Sequence, residues 1–129
     1  MSEVSVNAVE EMLDHVLNAR WDQLPAVLTE DFVIVEPDSL PYGGCHHGAA
    51  GYAALMKRIG ALFELAFEPE GIHAIGDNGV MLRVNVTFSA RSTGRKVRLP
   101  VVELFTVRAG RIARSEVFLF DTVALLATL

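Results

Sequence analysis

Two glutamates stand inside apolar, strand-like sequence. Glu103 interrupts Pro100-Val-Val-Glu-Leu-Phe-Thr-Val107, and Glu36 closes Phe32-Val-Ile-Val-Glu36 with Pro37 directly behind it. A carboxylate in such surroundings is costly to ionise unless a cation or hydrogen-bond donor meets it. At the rim of an apolar pocket its pKa rises, which suits Glu36 to general base chemistry. Deeper in, a carboxylic acid that keeps its proton donates a hydrogen bond to a developing oxyanion, and Glu103 is placed for that. The structural alternatives are an exposed strand-end glutamate at 36, and at 103 a hydrogen bond to a helix end or an ion pair with Arg83.

Other chemistry-bearing residues are more weakly marked. Arg114 and Glu116 lie between apolar residues near the end of the chain and read as a salt-bridged pair on a sheet face. Water activation by Glu116 with Arg83 and Asn85 is a further option, provided the three converge. His46 and His47 follow Cys45 in a loop. Adjacent loop residues rarely aim at one metal and no third ligand is spaced for it, so no metal site is expected. His46 at a pocket rim could shuttle protons. Tyr42 could offer a phenol at the pocket mouth. His73 reads as a core histidine on a strand. No phosphate-binding glycine loop, nucleophile elbow or dinucleotide fingerprint is present, and no cofactor is expected.

Those residues must be held by something. At 129 residues and 51% apolar content the chain suits one domain, 1–129, with a real core. It has no run apolar enough to span a membrane. The N-terminal Met-Ser-Glu-Val-Ser-Val-Asn lacks the basic start and apolar run of a signal peptide, so a cytoplasmic protein is expected. Cys45 is the single cysteine, which excludes an internal disulfide. The net charge of -5 is unevenly spread, with Arg91, Arg95, Lys96 and Arg98 around one turn. Without interleaved aromatics this cluster reads as a solvated hairpin tip, and no nucleic-acid partner is expected.

The first half carries helical spacing. Val6, Val9, Leu13, Val16 and Leu17 share one face, with Ser2 or Ser5 as cap. A short helix is expected over Trp21–Leu28 with Asp22 as cap and Pro25 in its first turn. A strand over Phe32–Glu36, a loop over Pro37–Gly48 and a helix over Ala49–Phe63, with Tyr52, Leu55, Met56 and Ile59 on its apolar face, follow. The second half reads as a meander: Glu64–Ile75, Gly79–Arg91, Arg95–Val107 and Arg111–Phe120, then a helix Thr122–Thr128 capped by Asp121. Helices first and long strands after argue an α+β fold with helices on one sheet face.

Turn lengths predict register. A two- or four-residue turn at Ala109-Gly110 sets Glu103 opposite Glu116, and a three-residue turn sets it opposite Ser115. An even turn at Thr93-Gly94 sets Val84 opposite Glu103. It also aligns Val80, Leu82, Val86 and Phe88 with Val97, Leu99, Val101 and Phe105, while Arg83 and Asn85 point the other way. A tight turn at Asn78-Gly79 brings His73 to the face of Glu103.

The segments Leu17-Asn-Ala-Arg-Trp-Asp-Gln-Leu24 and Leu28-Thr-Glu-Asp-Phe-Val-Ile-Val-Glu-Pro37, with Gly48 leading into a helix and Gly110-Arg-Ile112 before the last strand, carry a resemblance. In their order and spacing the chain resembles the SnoaL-like group of the nuclear transport factor 2-like superfamily, which includes ketosteroid isomerase. The resemblance covers nearly the whole chain. It implies a cone-shaped α+β fold, with N-terminal helices packed on a curved, mainly antiparallel sheet around a pocket, and a homodimer formed through the sheet. Ketosteroid isomerases set a carboxylate base before a proline at the end of the first strand, where Glu36-Pro37 stands. They set a protonated acid mid-strand, where Glu103 stands four residues before Val107. Their tyrosine on the first helix falls at Leu13. Limonene epoxide hydrolase, another branch, uses Arg-x-Asp and a last-strand carboxylate. Arg83-Val-Asn85 and Glu116 occupy similar places, although Asn85 cannot act as a carboxylate base.

The resulting expectation is a metal-free, cofactor-independent pocket protein for a small apolar or polycyclic molecule. As an isomerase or cyclase it would abstract a proton next to a carbonyl, with Glu36 as base and Glu103 as protonated donor. The rival expectation is a non-catalytic ligand-binding or dimerisation domain whose carboxylates are saturated by Arg83, Arg98 or Arg114.

Overall fold

The structure, a computed structural model, describes residues 2–129. The first helix, α1 (Ser2–Leu17), buries Ala8, Val9 and Met12. Ser5 lies inside the helix and caps nothing. It is buried, and its hydroxyl donates to the Asp77 carbonyl at 2.6 Å, which ties the helix to a turn of the sheet. The expected second helix is split into a 3-10 turn, Trp21–Gln23, and a single turn, α2 (Leu24–Val27). Asp22 makes no capping bond there. A cap at Asp22 would need donors from the first turn, and Pro25 in that turn has no N–H to give.

Strand β1 (Leu28–Glu36) starts four residues before Phe32. The segment expected as open loop then folds back. Leu40 and Gly43 close tight turns onto the Pro37 and Leu40 carbonyls at 3.1 and 2.9 Å. Gly44 takes a φ of 93°, which an L side chain resists, and starts a short edge strand, β2 (Gly44–His47). It pairs antiparallel with β1, from Val33 against His47 to Glu36 against Gly44. Helix α3 (Gly48–Leu62) follows and buries Tyr52, Leu55 and Ile59.

The meander consists of β3 (Phe63–Ile75), β4 (Gly79–Ala90), β5 (Lys96–Arg108) and β6 (Arg111–Leu119). Helix α4 (Thr122–Leu126) closes the chain, capped by Asp121, whose Oδ1 accepts from the Ala124 amide at 3.0 Å. The six strands form one curved, open sheet in the order β2-β1-β6-β5-β4-β3. All neighbours are antiparallel except β1 and β6, which run parallel. Val80, Val84, Val86 and Phe88 of β4 and Leu99, Val101 and Phe105 of β5 are buried on the face that α1 and α3 cover. Each such side chain contributes about 1.5–3 kcal/mol by leaving water.

Registers differ from expectation in three places. Between β3 and β4 the turn spans three residues, 76–78, which sets His73 opposite Met81. Between β4 and β5 the turn spans four residues, with Ala90 donating to the Arg95 carbonyl at 2.8 Å. Leu82 therefore stands opposite Glu103, and Val84 opposite Val101. A slide of two residues keeps every side chain on its expected face. Between β5 and β6 an irregularity between Thr106 and Val107 shifts the ladder by one residue. Glu103 then faces Val117, and neither Glu116 nor Ser115 is its direct partner. The same shift sends Glu116 to the opposite face of the sheet.

Candidate functional site

The concave face of the sheet and the helices enclose a cavity of about 220 Å3. Leu13 and Val16 of α1, Met56 of α3 and Leu82, Val84 and Val86 of β4 supply apolar wall. Four lining residues carry polar atoms: Glu36, Tyr42, Tyr52 and Glu103. Leu17, 63% exposed, and Phe67, 44% exposed, belong both to the lining and to the outer surface, so they mark the mouth.

Glu36 reaches the cavity because β1 alternates. Leu28, Phe32, Ile34 and Glu36 are its buried positions, and Pro37 ends the strand. The residue is 6% exposed. No hydrogen bond from a described residue holds its carboxylate. Burial, and then the neighbouring charge of Glu103, push its pKa up to about 8.

Glu103 shares its face of β5 with Val101 and Phe105, and its cross-strand partners Leu82 and Val117 are both apolar. Ser115, fully buried on β6 and diagonal to it, donates its hydroxyl to Glu103 Oε2. Burial raises the Glu103 pKa to about 7, and the Ser115 hydrogen bond holds it from rising further. The Ser115 hydrogen bond favours the ionised form of Glu103, and Glu36 has no such bond.

Two tyrosines complete the polar end. Tyr42, in the turn between β1 and β2, is buried, and burial together with the charge of Glu36 raises its phenol pKa. Tyr52 hangs from α3, with the edge of Phe32 packed on it at a centroid distance of 6.1 Å. Its phenol pKa is raised well above the usual value by burial, then by Glu103 and by Glu36. In the sequence Tyr52 looked only like one member of an apolar helical stripe. The available signal was its hydroxyl, a polar atom on a buried face that needs a partner or a use.

The other expected residues lie elsewhere. His73 pairs with Met81 on the outer side of the sheet and is exposed, because the turn before β4 spans three residues, 76–78, and pairs Ile75 with Gly79. His46 is half-buried off the cavity wall, where its Nε2 donates to the Tyr42 carbonyl at 2.8 Å and steadies the tyrosine turn. Arg83 pairs with Glu70 at 2.9 Å, and Asn85 donates to the same carboxylate. Glu116 meets Arg114 at 3.5 Å beside a second, open hollow with Asp38 and Phe118, which shares Glu36, Val117 and Leu119 with the cavity. Arg83, Asn85 and Glu116 therefore do not converge, and the arrangement needed for epoxide-hydrolase-like water activation is not formed. Arg98 is held by Glu68 at 3.0 Å. None of these three arginines reaches Glu36 or Glu103. Cys45 is exposed, and the described residues contain no group of three or more potential metal ligands.

A profile of the SnoaL-like domain family matches residues 9–115. Among solved structures, an NTF2-like protein from Burkholderia xenovorans LB400 superposes with a TM-score of 0.91 at 26% identity, over 99% of this chain and 97% of that one. TerC, co-crystallised with polyporic acid, gives 0.84 at 19% identity over 97% of each chain. A putative SnoaL-like polyketide cyclase from Jannaschia sp. CCS1 gives 0.82 at 18% identity, over 98% of this chain and 92% of that one. No curated protein matches the sequence.

Proposed function

The chain belongs to the SnoaL-like domain family, and from that premise we propose that it is a cofactor-independent acid–base catalyst, an isomerase or cyclase, acting next to a carbonyl of a small apolar molecule. The observation that carries this is a pair of carboxylates, Glu36 and Glu103, in an apolar cavity with no cation on either. Two such acids cannot both ionise cheaply, so near neutrality the pair holds one proton. One member is then a base and the other a donor, which is the combination that enolisation needs.

The Ser115 hydrogen bond supports Glu103 as the ionised member and Glu36 as the one that keeps its proton. This is the reverse of the roles taken from the sequence. Glu103 would remove the α-proton of the substrate. Glu36, with the Tyr52 hydroxyl beside it, would donate to the oxygen on which charge develops. Returning the proton to a different carbon gives isomerisation, and attack of the enolate on a second carbonyl gives cyclisation. The mouth at Leu17 and Phe67 suits a substrate whose remaining surface is apolar.

Deuterium uptake tests the proposal without knowledge of the natural substrate. A small bicyclic ketone, 2-tetralone, is followed by NMR in heavy water. The protein is expected to speed exchange at the α-carbon above the buffer rate, and Glu103→Gln to remove the effect. Glu36→Gln, an isostere of the protonated acid, should keep more activity than Glu103→Gln. Equal exchange by wild type and both variants would sink the proposal.

A homodimer through the outer sheet face belongs to the same proposal. Phe118 stands half exposed there opposite Val102, with Leu104 on the same face.

A further inference from the structure

The carboxylates at the cavity floor have no counter-charge among the described residues. Arg83 of β4, Arg98 of β5 and Arg114 of β6 are each held by an outer-face glutamate. The cavity wall contains no lysine, arginine or histidine among the described residues. Glu36 is 6% exposed, faces the cavity and has no partner. Buried charge is stable only when matched. A match that the fold omits can come from a ligand.

We propose that this cavity is a binding site for a lipophilic amine, with its ammonium between Glu36 and Glu103 and its apolar body directed to the Leu17–Phe67 mouth. An ammonium has three donors. Glu36 offers a carboxylate with no other hydrogen bond, and Glu103 offers the oxygen that Ser115 leaves free. The hydroxyl of Tyr52, on the same cavity wall, offers an acceptor. A carboxylate or phosphate ligand would meet like charge with no compensating group. The inference goes beyond the acid–base proposal and stands without it, because it requires matched charge and no turnover.

The titratable groups facing the pair are Tyr42 from the turn before β2 and Tyr52 from α3. Helix α1 and strands β3, β4 and β6 present apolar side chains or the Ser115 hydroxyl. Raising the pH therefore ionises Glu36 and Glu103 before anything else nearby, while an alkylammonium stays charged up to about pH 10. Amine affinity should climb through the range in which the pair loses its second proton.

Calorimetry with three matched probes tests this: 2-naphthylmethylamine, 2-naphthylmethanol and 2-naphthoate, at about pH 8. The amine is expected to bind about tenfold or more tighter than the alcohol, and the carboxylate most weakly. Glu36→Gln/Glu103→Gln should remove the preference for the amine over the alcohol. If that double variant does not fold, the wild type alone decides. Its amine-to-alcohol ratio must rise between about pH 5.5 and about pH 8.5. Equal binding of amine and alcohol, no amine binding, a preference that survives the double variant or a flat pH dependence overturns the proposal. Amine preference without ketone exchange would retain this inference and sink the acid–base proposal, and exchange without amine preference would do the reverse.

Discussion

Ser115 donates its hydroxyl to Glu103 from the diagonal position on the neighbouring strand. The irregularity in the β5–β6 ladder creates this contact. With the regular register expected from the turn, Glu116 would face Glu103 and two like charges would oppose each other across the ladder. The one-residue shift turns Glu116 outward to Arg114 and leaves a hydroxyl in place of a second carboxylate.

Ser115→Ala should therefore raise the pKa of Glu103, since the hydrogen bond is what opposes the effect of burial. The loss is about 1 kcal/mol of stabilisation of the ionised form, which moves the titration up by about 0.7 pH unit. NMR of carbon-13-labelled glutamate side chains measures it directly. The rising limb of the ketone-exchange profile should move by the same amount in the same direction. A Glu103 titration that stays in place would show that Ser115 does not favour the anion.

The two raised pKa values make stability fall with pH. A carboxyl whose folded pKa exceeds its unfolded value binds more protons in the native state. Its contribution is complete below the ordinary value of 4.5 and is lost as the pH climbs through about 7 for Glu103 and about 8 for Glu36. Urea unfolding at about pH 5, 7 and 9 should show a loss on the order of a few kcal/mol across that range. Glu36→Gln, which cannot ionise, should flatten the decline and exceed wild-type stability at the alkaline end. A wild-type stability that rises between those limits would contradict the absence of a counter-ion.

The outer face of the sheet carries a separate prediction. Phe118 is 50% exposed at the centre of that face, and Phe120 beyond it is 80% exposed. Exposed aromatics of this size on a sheet face favour association. Sedimentation should find a dimer, and Phe118→Asp should convert it to monomer with ketone exchange retained, because residue 118 points away from the cavity. A wild-type monomer at all tested concentrations would remove the dimer proposal.

Much of this architecture was legible because its signals were local and periodic. Glu36 and Glu103 could be assigned to the inner face by parity alone. The slide of two residues between β4 and β5 did not disturb that assignment, since strand faces repeat every two residues. What escaped was whatever changes parity. The three-residue turn at 76–78 and the irregularity at Thr106–Val107 sent His73 and Glu116 outward, and neither leaves a clear mark in composition. Strand β2 escaped because Gly-Cys-His-His has little β-preference of its own and is held by pairing with β1. Tyr52 was placed correctly on the buried face of α3. Its hydroxyl could be grouped with the two carboxylates only once all three were seen to line one cavity.

Tyr52 gives the sharpest test of how the cavity would handle charge on a substrate oxygen. Leu13 stands where the resemblance to ketosteroid isomerase places a donor tyrosine, and it contributes only apolar wall. Tyr52 enters from a different helix, and its phenol pKa is raised, so it remains a neutral donor through the working range. A neutral donor aimed at developing negative charge strengthens its bond as the charge grows, which lowers the barrier more than it aids binding. Tyr52→Phe should therefore cut kcat for ketone exchange by about 10- to 100-fold with little change in KM. The ring packing against Phe32 is kept by the substitution, so the melting temperature should move little. A rise in KM with unchanged kcat would make Tyr52 a positioning residue for the ketone. An unchanged rate would leave Glu36 as the sole donor to the oxygen.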